Sequence, residues 1–353
     1  MMRRTRILGL LAALLLTACT GLKPAQAPDV VIPNANVGGS IVTFNAASTQ
    51  LASGGWDGAV QLWRLPDGKP LRHWPAHAGT VNGIAFLDHD QRILTGGYDG
   101  EFAEWDAQGR QVRRMPAGSP ITAMTVNEHD NIVITGHADG AVRVWRLDSL
   151  QRLYDYPVHD GAVRAVAYLP GQQRIASSGT DTRAFLWQSI ATPPVALPSP
   201  PTDSRALQFS PDGQWLIGSG WFRLFRWNVA SSALTVIPTE HNGIIKSIQY
   251  SPDGRYLASI SRQTDSSIYF LDPMTGKVLR RFQRHDLCGG WIALSPDQKY
   301  IATTSDDASV RIWSPSFRLP SEVGRGCCML TAVHCMTGGF GICLHCYGRM
   351  TCW

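Results

Sequence analysis

"SGGWDGAVQLW", residues 53–63, sets Asp57 six residues before Trp63 and flanks Trp56-Asp57 with glycines. The same pattern returns as "TGGYDGEFAEW" at residues 95–105 and as "TGHADGAVRVW" at residues 135–145. A pattern that recurs with its Gly, Asp and Trp positions fixed is read as architecture before it is read as chemistry. Aligned on the closing aromatic, the copies end at Trp63, Trp105, Trp145, Trp187, Trp227 and Trp313, with Leu271 in the sixth place. These are seven units at intervals of 40 to 44 residues. Each unit opens with apolar alternation, as in Val81, Ile84 and Phe86 or Val163, Val166 and Tyr168. A polar turn follows, spelled Ser-Pro-Asp-Gly at Ser210 and Ser251 and Ser-Pro-Asp-Gln at Ser295. Then come an apolar strand carrying a hydroxyl residue, a tight turn and the strand that ends in Trp. Short strands with regular turn signals predict an all-β chain, and this beat predicts the four-stranded antiparallel blade of a β-propeller.

The repeat resembles the WD-repeat family of β-propellers over residues 29–318. Trp105-Asp106 spells the dipeptide at the end of the third strand and most units do not, so the resemblance rests on seven units in phase. It implies a seven-bladed propeller. Counting six back from each closing position finds Asp57, Asp99, Asp139, Asp181, Asp265 and Asp307. Four residues before the Asp stand Ser53, Thr95, Thr135, Ser177 and Thr303, and Ser259 follows once a two-residue longer hairpin is allowed in the sixth unit. Twenty-two before the Asp stand His77, His159 and His285, with His241 joining them after the same allowance. The resemblance implies that His, Ser/Thr, Asp and Trp form a buried hydrogen-bonded tetrad in each blade. The physics supports it, because a buried carboxylate needs donors and an imidazole and a hydroxyl supply them. A Ser-His-Asp catalytic triad is the competing reading, but an enzyme has no use for four near-identical copies. The first and third units carry Ala35 and Ala117 in place of the His, and the fifth carries Trp221 in place of the Asp. Unit five also follows the Pro-rich stretch 191–203, which cannot pair as a central strand. It is expected to be the least regular blade, held by apolar packing.

Val30-Val31-Ile32 has the phase of an outermost strand without a blade of its own, since Pro33 aligns with Pro75. It is expected to close the ring by joining the last blade, which removes exposed sheet edges.

The N-terminus reads as an address. Arg3, Arg4 and Arg6 precede a short apolar run that ends Leu16-Thr17-Ala18-Cys19. This resembles a bacterial lipobox, implying residues 1–18 as a lipoprotein signal peptide, Cys19 as the lipidated residue and residues 19–28 as a tether. Two or more acyl chains give stable anchoring where one does not. Thr20 in place of Asp favours outer-membrane sorting by the same resemblance. The net charge is +5, and three of those charges sit in the leader, so nothing argues for nucleic-acid binding. Residues 319–353 hold six of the eight cysteines and continue no blade pattern. A metal site, disulfides and an unselected extension are the three readings of that tail, and the last is preferred.

No nucleophile elbow, phosphate loop or unique carboxylate pair stands above the repeat, so no catalytic residue, cofactor, metal or small-molecule substrate is assigned. Function is sought where the repeat varies. Just before the turn Asp the residues are Trp56, Tyr98, Ala138, Thr180, Thr264 and Asp306. Trp56 and Tyr98 are large aromatics on adjacent blades, a favoured kind of interface anchor. The innermost strands open with Ser40, Asn82, Thr122, Arg164, Arg205, Lys246 and Gly290. Arg164, Arg205 and Lys246 set cations on three consecutive blades near the channel mouth, where they suit an acidic partner or are simply solvated. The expected function is a non-catalytic, lipid-anchored scaffold that binds envelope proteins or peptides and touches the membrane through Cys19. The alternative is an envelope hydrolase or other enzyme with its site in the central channel.

Overall fold

The computed structural model describes residues 25–314, apart from Ser40 and Thr264. Seven four-stranded antiparallel sheets make up the described chain, and it contains no helix long and apolar enough to cross a membrane. The first blade is typical: Val42–Phe44, Gln50–Gly54, Ala59–Arg64 and Lys69–Pro75 run from the axis outward. First strands of neighbouring blades touch around the ring, so each unit presents its opening residues to the channel.

The core lies between blades rather than at the axis. Ala52, Val60, Leu62 and Trp74 of blade one meet Ile84, Ile93, Ala103 and Trp105 of blade two. Each sheet is covered on both faces, which is why the third strands are buried nearly end to end instead of alternating with polar residues. The tight turns keep their glycines for a reason. Gly58 and Gly140 take φ of +79° and +84°, and a Cβ at either would run into the carbonyl of His77 or His159.

Strand Val30–Ile32 joins the last blade, pairing Val30 with Ile312, Val31 with Arg311 and Ile32 with Val310. Ile32 packs with Val42, Phe44, Val310 and Ile312 in the core that seals blade seven to blade one. The closing segment starts earlier than the sequence indicates. Gln26, assigned above to the tether, bridges Phe282 on the outermost strand of blade six. Its carbonyl accepts from Gln283 N–H at 2.8 Å and from the Trp313 indole at 3.2 Å. The N-terminal segment therefore ties blades six and seven together. The leader, Cys19 and the Cys-rich tail lie outside the described residues.

Blade five is a full sheet: Ala206–Phe209, Trp215–Ser219, Arg223–Asn228 and Leu234–Pro238. The Pro-rich stretch before it contributes only Val195–Ala196, an outermost strand of blade four, where missing N–H groups matter least. Where other blades carry a tetrad hydroxyl, this one carries Ile217, wholly buried beside Leu224 and Leu257. Phe225 and Trp227 fill the other face, and the Trp227 indole donates to Pro198 O at 2.9 Å.

Candidate functional site

The polar residues that look catalytic sort themselves first. In blade two His77 Nδ1 lies 3.0 Å from both oxygens of Asp99, Nε2 lies 2.8 Å from Thr95 Oγ1, and the Trp105 indole donates to Thr95 at 3.0 Å. A neutral imidazole protonated on Nδ1 satisfies the whole chain, from indole to hydroxyl to imidazole to carboxylate. Burial holds His77 below the ordinary histidine range despite Asp99, in keeping with that neutral form. Blade four repeats it with His159, Asp181 and Ser177 at 3.0 and 2.8 Å. Blade seven does so with His285, Asp307 and Thr303 at 3.0 and 2.7 Å.

Several assigned members fall elsewhere. Trp187 makes no hydrogen bond through its indole among the described residues and packs edge-on against Tyr156. Trp313 gives its indole N–H to Gln26, so its donor serves ring closure rather than Thr303. In blade six His241 binds Ser259 at 2.9 Å, but its Nδ1 stands 3.7 Å from Asp265. The longer hairpin moves that carboxylate onto Asn242 N–H and the Ser261 hydroxyl. Burial alone would raise the Asp265 carboxyl, yet those donors and His241 hold it well below the carboxylate range.

The His-less blades correct the sequence reading further. Asp57 is exposed and only receives Ala59 N–H within its own turn. Ser53 still accepts the Trp63 indole at 2.8 Å, and Asn36 replaces the missing His at 3.2 Å. Asp139 is also exposed, paired with Arg143 at 2.6 Å. Thr135 accepts the Trp145 indole at 2.8 Å and meets His137 Nε2 at 2.7 Å. Without a loop imidazole to meet, neither carboxylate is drawn inward.

His137 stands where blades two and four have Gly97 and Gly179. A Cβ at either glycine would come within 2.4 Å of the loop His Nδ1. Blades six and seven carry Ser261 and Ser305 at this register beside their loop His, whereas blade three, with Ala117 in the loop, carries His137 on the strand itself. The signal was in the sequence as an exchange between two positions of one repeat.

With the tetrads assigned to architecture, the channel mouth is what remains. Among the described residues, no group of three or more His, Cys, Asp and Glu side chains is placed to hold a metal. A cavity of about 190 Å³ opens among the loops that lead into the blades and the hairpins joining second to third strands. Trp56, Arg164, Arg205 and Lys246 all line it, and Tyr98 borders the adjoining recess with the same three cations. A fourth cation, Arg262, was missed. Counted from the strand hydroxyl rather than from the displaced Asp265, it is the blade-six equivalent of Trp56 and Tyr98. Thr264, which the count from the turn Asp selected, lies outside the described residues, as does Ser40.

Three neighbouring blades use this register position together. Arg262 Nη2 meets Asp306 Oδ2 of blade seven at 2.7 Å, and its guanidinium lies 5.7 Å from the centre of the Trp56 ring in blade one. Trp56 also lies against Gly38, where a Cβ would come within 2.3 Å of the indole. Its backbone N–H donates to Val37 O at 2.7 Å. The ring is thus held in place while 45% exposed, and Tyr98 is 51% exposed. Arg164 and Arg205 share Asp203 at 3.4 and 3.1 Å. Burial, then the positive charge of Arg262, Arg205 and Arg164, pushes Lys246 down to about 8.

The other end of the channel is built differently. Its larger cavity, about 790 Å³, is lined by side chains such as Phe44, Tyr168, Phe209 and Tyr250 and by the Ser-Pro turns. Gln208 and Gln249, which also line it, are spent on the backbone N–H groups of Tyr250 and Leu294 in the next blades.

Comparison with known proteins agrees with this architecture. The family model described as "WD domain, G-beta repeat" matches residues 39–64, 68–106, 109–146, 150–188, 233–272 and 276–314. The stretch it passes over contains most of blade five, whose tetrad has been replaced by apolar packing. The chain is 26% identical to telomerase protein component 1 of Mus musculus over 72% of its length and 10% of that protein's. It is 24% identical to striatin-4 of Homo sapiens, over 68% of this chain and 36% of that one. It is 23% identical to pre-mRNA-processing factor 17 of Mus musculus, over 76% and 49%. The chain spans from a tenth to about half of the length of these relatives. On the six matched repeats and the seven blades, the chain belongs to the WD-repeat family.

Proposed function

We propose that this protein is a non-catalytic scaffold, lipid-anchored through Cys19 in a bacterial cell envelope, that docks protein or peptide partners on the face of the propeller carrying Trp56 and Tyr98. The observation that carries the docking face is its composition. Of the large exposed apolar side chains among the described residues, the three aromatics, Trp56, Tyr98 and Phe222, all belong to hairpins between second and third strands. Those hairpins share one face with Val37 and Leu287 of the loops leading into blades one and seven. Among the described residues Met274, in a turn between third and outermost strands, is an exposed large apolar side chain of the opposite end. Exposed aromatics grouped on one face around a charged centre suit a partner interface, whereas scattered ones need no explanation.

The alternative of an enzyme at the channel gains no support from the geometry, because the loop His and Asp of blades two, four, six and seven each lie within one blade, where the imidazole binds that blade's strand hydroxyl. The anchoring is tested by Cys19→Ser, which is expected to move the protein from the membrane fraction to the soluble envelope fraction. Retention in the membrane would refute the lipid anchor. Docking is tested by cross-linking in intact cells followed by affinity purification. A partner lost on Trp56→Ala together with Tyr98→Ala supports the face, and capture indifferent to that pair refutes it.

A further inference from the structure

Charges at the channel mouth do not balance. Four cations line the cavity, Arg164, Arg205, Lys246 and Arg262, and no Asp or Glu is among its described lining residues. Two carboxylates stand just behind the wall. Asp203 serves Arg164 and Arg205, and Asp306 serves Arg262. Lys246 has no ion pair and no hydrogen-bond acceptor among the described residues, although it is half-buried and ringed by three guanidinium groups. The Thr122 hydroxyl, another lining group, is buried without a partner among the described residues. A concentration of like charge around a confined cavity is unfavourable when the cavity holds only water, and an anion relieves it.

We propose that the channel mouth is a socket for a carboxylate, delivered by an acidic side chain of a docked peptide, with Lys246 as its direct ligand and the Trp56 indole as its apolar wall. The proposal rests on the docking reading above and names the chemistry of its centre. Size and charge favour this occupant. The cavity, about 190 Å³, takes one side chain rather than a folded element. The four cations face two carboxylates, since Arg164 and Arg205 share Asp203, and Lys246 is the one of the four that pairs with neither. The exposed apolar side chains Val37, Trp56 and Leu287 on the same face offer contact to the peptide around that acid.

Binding is read by fluorescence anisotropy at low salt, with a labelled, capped peptide carrying Glu between Leu residues. Its Gln counterpart, its phosphoserine counterpart and inorganic phosphate as competitor provide the other arms. The Glu peptide is expected to bind at least tenfold more tightly than the Gln peptide, and Lys246→Met is expected to remove that preference. Affinity should fall between pH 7 and 9.5 as Lys246 loses its proton, and Lys246→Arg, which stays charged, should flatten the profile. The charged groups that face Lys246 are the guanidinium groups of Arg164, Arg205 and Arg262, with the carboxylates of Asp203 and Asp306 behind them. Equal binding of Glu and Gln peptides, or an unchanged preference in Lys246→Met, would overturn the socket. So would binding confined to the phosphoserine peptide or to phosphate. If the cellular partner is still captured through Trp56 and Tyr98 while these arms fail, the docking face stands and only the socket falls.

Discussion

Blades two and five occupy the same ring and solve the same problem with opposite chemistry. Blade two fixes its loop to its strands through four polar side chains, each hydrogen-bonded to the next. Blade five keeps only the closing Trp of that chain and fills the space with Ile217, Phe225 and Trp227, all fully buried. What both supply is a rigid wedge with two covered faces. The polar tetrad is one way to make the wedge, so its residues speak about folding and not about activity. Polar networks also depend on every member, whereas apolar packing loses only what is removed.

The largest expected effect is in blade five. Phe225→Ala would empty a wholly buried ring site in an apolar cluster and should cost about 3–5 kcal/mol in chemical denaturation. A loss below about 1 kcal/mol would show that blade five does not depend on that packing.

Acid should separate the two blades next. Burial brings His137 to about 4 from 6.5, and burial also lowers His77, His159, His241 and His285. The unfolded chain then takes up protons first as pH falls. Stability from these groups is full above about pH 6.5 and is lost progressively toward pH 4. Asp265 and Asp307, held low by their donors, add the same sign further down. The melting midpoint should drop by roughly 5 °C or more between pH 7 and pH 4.5. Hydrogen-exchange protection, corrected for intrinsic rates, should fall in blades two, three, four, six and seven before blade five. Uniform loss, or loss led by blade five, would break the comparison.

The finest contrast is between two aspartates that look identical in sequence. Asp99→Ala should cost about 1–3 kcal/mol, because it leaves His77 Nδ1 buried without an acceptor. Asp57→Ala should stay within about 0.5 kcal/mol, because that carboxylate is exposed and holds only its own turn. Equal costs for the two would show that exposure does not separate their roles.

Much of this fold was legible because a repeat averages out local ambiguity. Seven turns in phase fix the strand order, the blade count and the place of Val30–Ile32, even where one copy is eroded. The limits were local and physical. Asp57 and Asp139 keep the spacing of a tetrad without the loop imidazole that draws the carboxylate in. Gln26 carries no strand pattern, since it makes a single bridge through its backbone. Arg262 was hidden by where the hairpin of blade six lengthens: counting from the turn passes over it, and counting from Ser259 finds it. At the mouth, sequence offered Trp56 as an anomaly and the three cations as a set. It could not show that they converge, since residues from blades one, four, five and six meet only after the ring closes.

The docking face is tested most directly by site-specific photo-cross-linking in living cells, with a photoreactive amino acid placed singly at positions 56, 98 and 274. Partner adducts are expected from 56 and 98, on the face with the cationic mouth, and not from 274 on the opposite end. Adducts from 274 alone, or equally from all three positions, would contradict docking on that face.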